Sequence, residues 1–262
     1  MGKILISSLK DITAKLTLVG ILMAVFSGSS LAEVIQSPYA VGERLNFKIY
    51  FEFVLGGNAS MYVQGIEEDG GRRTMHIVSE AKSTPTVDRM YKVRDKIESW
   101  RDLEMKASVK YSKRLREGKW KDDKVVEYNQ EAGTALLYRK PGQPADTVKI
   151  NPPVMDIISA FYYVRECSLE VGKSLFIPLH DIEKQYLLEV KVLRKETVEV
   201  PGGTFDCFVV EPQLQSSGLF RREGSLQIWL TDDRYKMPVL MQSKLYFGRV
   251  WAKLVDYTRG QE

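Results

Sequence analysis

The chain has 262 residues, of which 44% are hydrophobic and 27% charged, with a formal net charge of +4. So even a balance gives no compositional support to nucleic-acid binding, and no strict repeat or low-complexity tract is present. The length suits one large β domain or two smaller ones.

The first element is a leader. Lys3, Lys10 and Lys15 precede an apolar run at 16–26, and small residues then lead to Ser30-Leu31-Ala32. This is the layout of a secretory signal peptide over 1–32, with cleavage expected after Ala32 and delivery to the periplasm. The run is about half of the ~20 residues that a membrane-spanning helix needs. No cysteine stands near the cleavage site, which argues against a lipid anchor, and no later segment is long and apolar enough to span a membrane. Loss of the leader removes three lysines and one aspartate and lowers the charge to +2.

Residues 33–262 read as one β-rich domain in two halves, 39–150 and 154–258. Leu45, Phe47, Ile49, Phe51 and Phe53 alternate with mostly polar neighbours, the period of a half-buried strand. Gly56-Gly57-Asn58 gives a turn signal, after which Ala59, Met61 and Val63 resume the alternation. Gly70-Gly71 marks the next corner. Strands are expected near 93–100, 108–117, 123–129 and 134–139, with turns at Glu117-Gly118-Lys119 and Pro141-Gly142. The stretch 110–124 interleaves cations with Asp and Glu and reads as a solvated strand pair.

Asn151-Pro152-Pro153 then breaks the pattern. Ile157, Ile158, Phe161, Tyr162 and Arg165 follow helical spacing behind Asp156, a suitable N-cap. One short helix near 156–167 is expected, packed through Ile158, Phe161 and Tyr162. Strands resume at 174–179, 185–200, 204–212, 219–230 and 238–257. In the last, apolar residues move from odd positions (Val239, Met241, Leu245, Phe247) to even ones (Val250, Ala252, Leu254). That slip predicts a β-bulge at or near Gly248. The fold class is mainly β: a strongly curved antiparallel sheet or open barrel with one short helix.

Chemistry-bearing patterns are sparse. His76 and His180 stand far apart, and neither has metal-ligand spacing. His180 precedes Asp181, but no G-x-S-x-G elbow marks a nucleophile. No phosphate-binding or dinucleotide glycine motif is present. No catalytic residue, metal or cofactor is therefore expected. Asp232 and Asp233 follow a strand face of Leu226, Ile228 and Leu230 and precede Pro238, so they read as a turn. Arg94, Asp95, Glu98 and Ser99, with Trp100, are either a ligand-facing polar cluster or ordinary surface pairs.

Cys167 and Cys207 are expected to form a disulfide in an oxidising compartment, the alternative being two buried thiols. The bridge would close a loop of about 40 residues and contribute roughly 4 kcal/mol. Phe47, Phe51, Trp229, Phe247 and Trp251 either line a site for an acyl chain or apolar peptide, or fill a core.

Taken in order, "GERLNFKIYFEFVLGGNASM", "YKVRDKIESW", "KYSKRLREGK", "DIISAFYYVR", "VEVPGGTFDCFVVEP", "IWLTDDRYKMPV" and "FGRVWAKL" resemble domain-of-unknown-function family 3108. The resemblance covers residues 42–257. It implies an exported, β-rich protein of the Gram-negative envelope with no established catalytic residues. More remotely, the curved sheet with its W-L-x-D-D…P-V turn is similar to periplasmic lipoprotein-sorting carriers. The functional expectation is a non-enzymatic periplasmic envelope protein. It would bind a lipid-like ligand or an envelope polypeptide on a curved sheet. The alternatives are an interaction module with a filled core and a hydrolase using loop carboxylates. The sequence does not specify an oligomeric state.

Overall fold

A computed structural model of the chain describes residues 37–261 except 70, 141, 215–224 and 246–247. The leader expected at 1–32 and Phe247 lie outside the described residues. A first run of strands comprises β1 (Glu43–Phe51), β2 (Val54–Asp69), β3 (Arg72–Ser83), β4 (Arg94–Asp102), β5 (Ser108–Glu117), β6 (Trp120–Asn129), β7 (Thr134–Tyr138) and β8 (Asp146–Lys149). A second comprises β9 (Ser174–Asp181), β10 (Lys184–Val200), β11 (Gly203–Pro212), β12 (Leu226–Thr231), β13 (Pro238–Leu245) and β14 (Gly248–Arg259). One-turn helix α1 (Pro85–Asp88) and helix α2 (Ile157–Glu166) interrupt them.

All fourteen strands form one antiparallel sheet in the order β8-β7-β6-β5-β4-β3-β2-β1-β14-β13-β12-β11-β10-β9. The mainly β expectation holds, and the sheet is not closed: β8 and β9 are its edges. Side chains from β6 and from the end of β7 reach β9 and the turn behind it. Tyr128 Oη meets His180 Nδ1 at 3.2 Å, and Arg139 donates to Glu183 at 2.5 Å. Gln130 donates to the carbonyls of Ser108 and Val154 and accepts from Val154 N.

Antiparallel connections alternate between the two ends of the sheet. An upper rim carries the turns after β1, β5, β7, β9, β11 and β13 and the α1 segment. A lower rim carries the turns after β2, β4, β6, β10 and β12, the start of β1 and the end of β14. Cross-strand ion pairs Lys113–Asp122 and Arg116–Asp123 make 110–124 the expected solvated strand pair.

Several local expectations are corrected. The β1–β2 turn is Glu52-Phe53, with Glu52 at φ 50, and Gly56 and Gly57 lie inside β2. A Cβ on Gly57 would stand 2.6 Å from the Lys82 carbonyl oxygen, so the glycine serves close strand approach. The face change near Gly248 is a hairpin: Leu245 pairs with Gly248 across the next turn. β8 and α1 were not expected; Thr84 caps α1 and Pro85 starts it.

The expected Cys167–Cys207 disulfide is absent, and both are free thiols. Cys167 caps the end of α2 and turns its Sγ to the Tyr163 carbonyl at 3.3 Å. Cys207 sits on β11 in the core cluster that holds Val209 and Trp229. Burial pushes both thiols up, Cys207 to about 12.

Candidate functional site

The site is built around α2. Asp156 caps it: Oδ1 accepts from Ile158 N at 2.8 Å and Ser159 N at 3.0 Å. Oδ2 accepts from Ser99 Oγ at 2.7 Å and Ser108 Oγ at 2.5 Å. Burial pushes this carboxyl up, against the pull of those hydroxyl and amide donors.

The other end of α2 is fastened by charge. Arg165 grips Glu43 through two bonds of 2.7 Å and donates to the carbonyls of Tyr235 and Pro38. Its guanidinium lies 5.0 Å from the ring centres of both Tyr39 and Tyr162. Next to it Glu166 takes Arg101 at 2.6 Å, Lys106 at 2.9 Å and the Tyr39 hydroxyl. Burial pushes Glu166 up, but Arg101 with the other donors outweighs it and holds the carboxyl below its ordinary value. Glu43, Arg101, Lys106 and Tyr235 all belong to the lower rim, so α2 is tied there.

Two stripes follow from helical spacing. Tyr162 and Arg165 point into the packed core. Ile157, Ile158, Ala160, Phe161 and Val164 line a half-open cavity of about 260 Å³ between α2 and the sheet. The sheet side supplies Phe47, Met61, Val210, Ile228, Leu230 and Met241, among others. Ser79 is the only polar side chain among the described lining residues.

Of the four described aromatics expected to bind ligand (Phe47, Phe51, Trp229 and Trp251), Phe47 alone lines this cavity. Trp229 alternates with the lining residues Ile228 and Leu230, so it faces the other side. There its Nε1 donates to Glu196 at 2.5 Å. Trp251 adjoins Ala252, whose cross-strand partner Met241 lines the cavity, and it pairs with Tyr50 and Gln242 on the opposite face. Phe51 packs at the end of β1, where a Cβ on Gly248 would come 2.9 Å from its ring. Ile157, Ala160, Ile228 and Leu230 were missed as lining residues. The signal was present in the helical stripe and in the β12 alternation.

The polar candidates have partners within the fold, and Arg94 and Asp95 also line a polar surface pocket with Lys82 and Arg114. Asp233 accepts from Thr231 Oγ1, Tyr235 N and Lys236 N, and Asp232 pairs with Lys195, so the aspartates do form the β12–β13 turn. Glu98 pairs with Lys96 and His76, while Ser99 points the other way to Asp156. His76 also meets Glu67 and stacks on Trp100. Burial pushes His180 down, keeping it neutral beside Tyr128. Among the described residues no group of three or more His, Cys, Asp or Glu side chains could hold a metal ion, and no helix is long and apolar enough to cross a membrane.

The model of the family described as "Protein of unknown function (DUF3108)" matches residues 46–255. The chain belongs to this family. A β-barrel-like protein of domain family DUF1849 from Brucella abortus shares the fold, with a TM-score of 0.54 at 10% identity over 84% of this chain and 98% of that one. A candidate exported protein with a YmcC-like fold from Bacteroides fragilis (TM-score 0.32) and a candidate lipoprotein from Parabacteroides distasonis (0.34) are each 11% identical. Both alignments cover 84% of this chain and 97% of the other. No curated protein matches.

Proposed function

We propose that this DUF3108 member is a non-enzymatic periplasmic protein that accommodates one apolar chain of a lipid-like ligand between α2 and the sheet. The observation that carries the reading is the cavity lining, apolar but for Ser79. Its volume of about 260 Å³ lies just under the ~300–1,000 Å³ of common small-molecule sites, so it suits one narrow chain better than a polypeptide segment. Both ends of α2 are held by partnered buried groups, so the cavity is present before a ligand arrives. The leader pattern at 1–32 supports export. The buried carboxylates and His180 are engaged in holding the fold, which supports a binding role.

The test is displacement of a fluorescent fatty acid, with native mass spectrometry of protein purified from its own periplasm. The wild type is expected to bind one probe per chain. Ala160→Phe and Ala59→Leu, which fill the cavity from opposite walls, are expected to weaken binding at least about tenfold without lowering Tm. Undiminished binding in both variants would refute the site.

A further inference from the structure

The upper rim carries apolar side chains where turns ordinarily place Gly, Pro, Asn, Asp or Ser. At the β1–β2 turn Phe53 is 94% exposed and Val54 65%. Behind α1, Met90 is 91% exposed beside the exposed Tyr91, and Trp120 is half exposed at the β5–β6 turn. Backbone contacts make these turns neighbours. Glu52 N donates to the Arg249 carbonyl at 2.8 Å, Thr84 N to Gly56 at 2.9 Å and Gly118 N to Lys92 at 2.8 Å.

The same row reaches the cavity. Lys244 N donates to the carbonyl of Ser225, next to the lining residue Leu226. Pro212, Leu214 and Leu226, at the upper ends of β11 and β12, are half-buried, whereas Phe47 and Leu230 deeper in are fully buried. The cavity therefore opens toward this rim. Among the apolar tips stand Arg89, Lys92, Lys119, Lys121, Lys244 and Arg249, all exposed and none in an ion pair with a described residue. On the lower rim the exposed Val41, Met105 and Val171 stand near charges that are paired, Arg72 with Glu131 and Lys173 with Glu170.

We infer that the upper rim is a docking surface for a lipid bilayer containing anionic lipid, with the cavity mouth turned to the membrane. Exposed cations match anionic headgroups, Tyr91 and Trp120 suit the headgroup level, and Phe53, Val54 and Met90 suit the acyl boundary. The continuity of rim and mouth gives the proposed cavity ligand a source. For that link the inference rests on the acyl-chain reading; docking itself rests on the rim.

Flotation with phosphatidylglycerol–phosphatidylethanolamine vesicles tests it, with pure phosphatidylcholine vesicles as comparison. The protein is expected to float with the anionic vesicles and to be released by salt. Phe53→Ser/Met90→Ser/Trp120→Ser should weaken vesicle binding at least about tenfold, and Lys92→Gln, Lys119→Gln and Arg249→Gln about fivefold each at low salt. Tm and binding of the soluble fatty-acid probe should stay unchanged in these variants. Failure to float, equal flotation of the variants, or a concentration-dependent dimer abolished by the rim substitutions would overturn the inference. Ala160→Phe separates the two readings, because it should lose the probe and still float. Flotation by a protein that never takes the probe would sink the cavity reading and leave the rim standing.

Discussion

At the lower rim, polar and charged groups are shielded from water and partnered: Arg165 with Glu43, Arg101 with Glu166, Asp156 with two serines. At the upper rim Phe53, Met90 and Trp120 stand in water, beside cations such as Lys92, Lys119 and Arg249 that have no ion-pair partner among the described residues. Buried charge that is fully partnered fixes geometry, because any displacement strands a desolvated group. Exposed apolar surface fixes nothing within the fold and is free to contact something else. One end of this sheet is therefore fixed by its own partnered charges, and the other leaves apolar side chains without a contact that the fold requires.

That contrast can be broken by substitution. The largest effect is expected from Arg165→Met, which leaves Glu43 buried and uncompensated; urea unfolding should show a loss of about 3–5 kcal/mol. Asp156→Ala removes the α2 cap and the buried acceptor of the Ser99 and Ser108 hydroxyls, for a loss of about 2 kcal/mol. Asp156→Asn should recover part of it, since its amide oxygen can still cap.

A pH titration sharpens the picture at Glu166. Its folded value is lowered, so the folded state holds this proton less readily than the unfolded chain. Its contribution is present above the ordinary glutamate value of 4.5 and is lost as pH falls through the lower folded value. Glu166→Gln should flatten the fall in stability over that acid window; an unchanged slope between wild type and variant would remove Glu166 from the account. The smallest effect is expected at the upper rim, where Phe53→Ser should shift stability by less than about 0.5 kcal/mol in the same assay.

Strands were legible because period-2 alternation survives wherever one sheet face is wet, as in β1 with its buried Leu45 and Phe47. The α2 helix was legible from Asp156 and the apolar spacing behind it. β8 escaped because four residues without buried side chains carry no pattern. As an aromatic on a strand, Trp229 is a ligand-site candidate in the sequence, but Ile228, Trp229 and Leu230 are all buried. Where both faces of a strand are dry, alternation cannot say which face meets the cavity. The exposed tips escaped for a different reason: an apolar residue at a turn looks, in sequence, like the end of a strand. The two cysteines show that compartment and parity do not supply proximity.

The order of the sheet has a consequence for how the chain assembles. Every ladder but one joins strands consecutive in sequence; the exception pairs Tyr50 with Trp251 and Glu43 with Arg259. β1–β8 and β9–β14 are thus two local meanders, each able to zip from hairpin to neighbouring hairpin at little loop-closure cost. Their union at β1–β14 must bring distant parts of the chain together before any contact rewards it. The folding rate of the whole molecule is then governed by one late ladder, and the time that β1 and β14 spend unpaired is when the chain is most open to wrong partners.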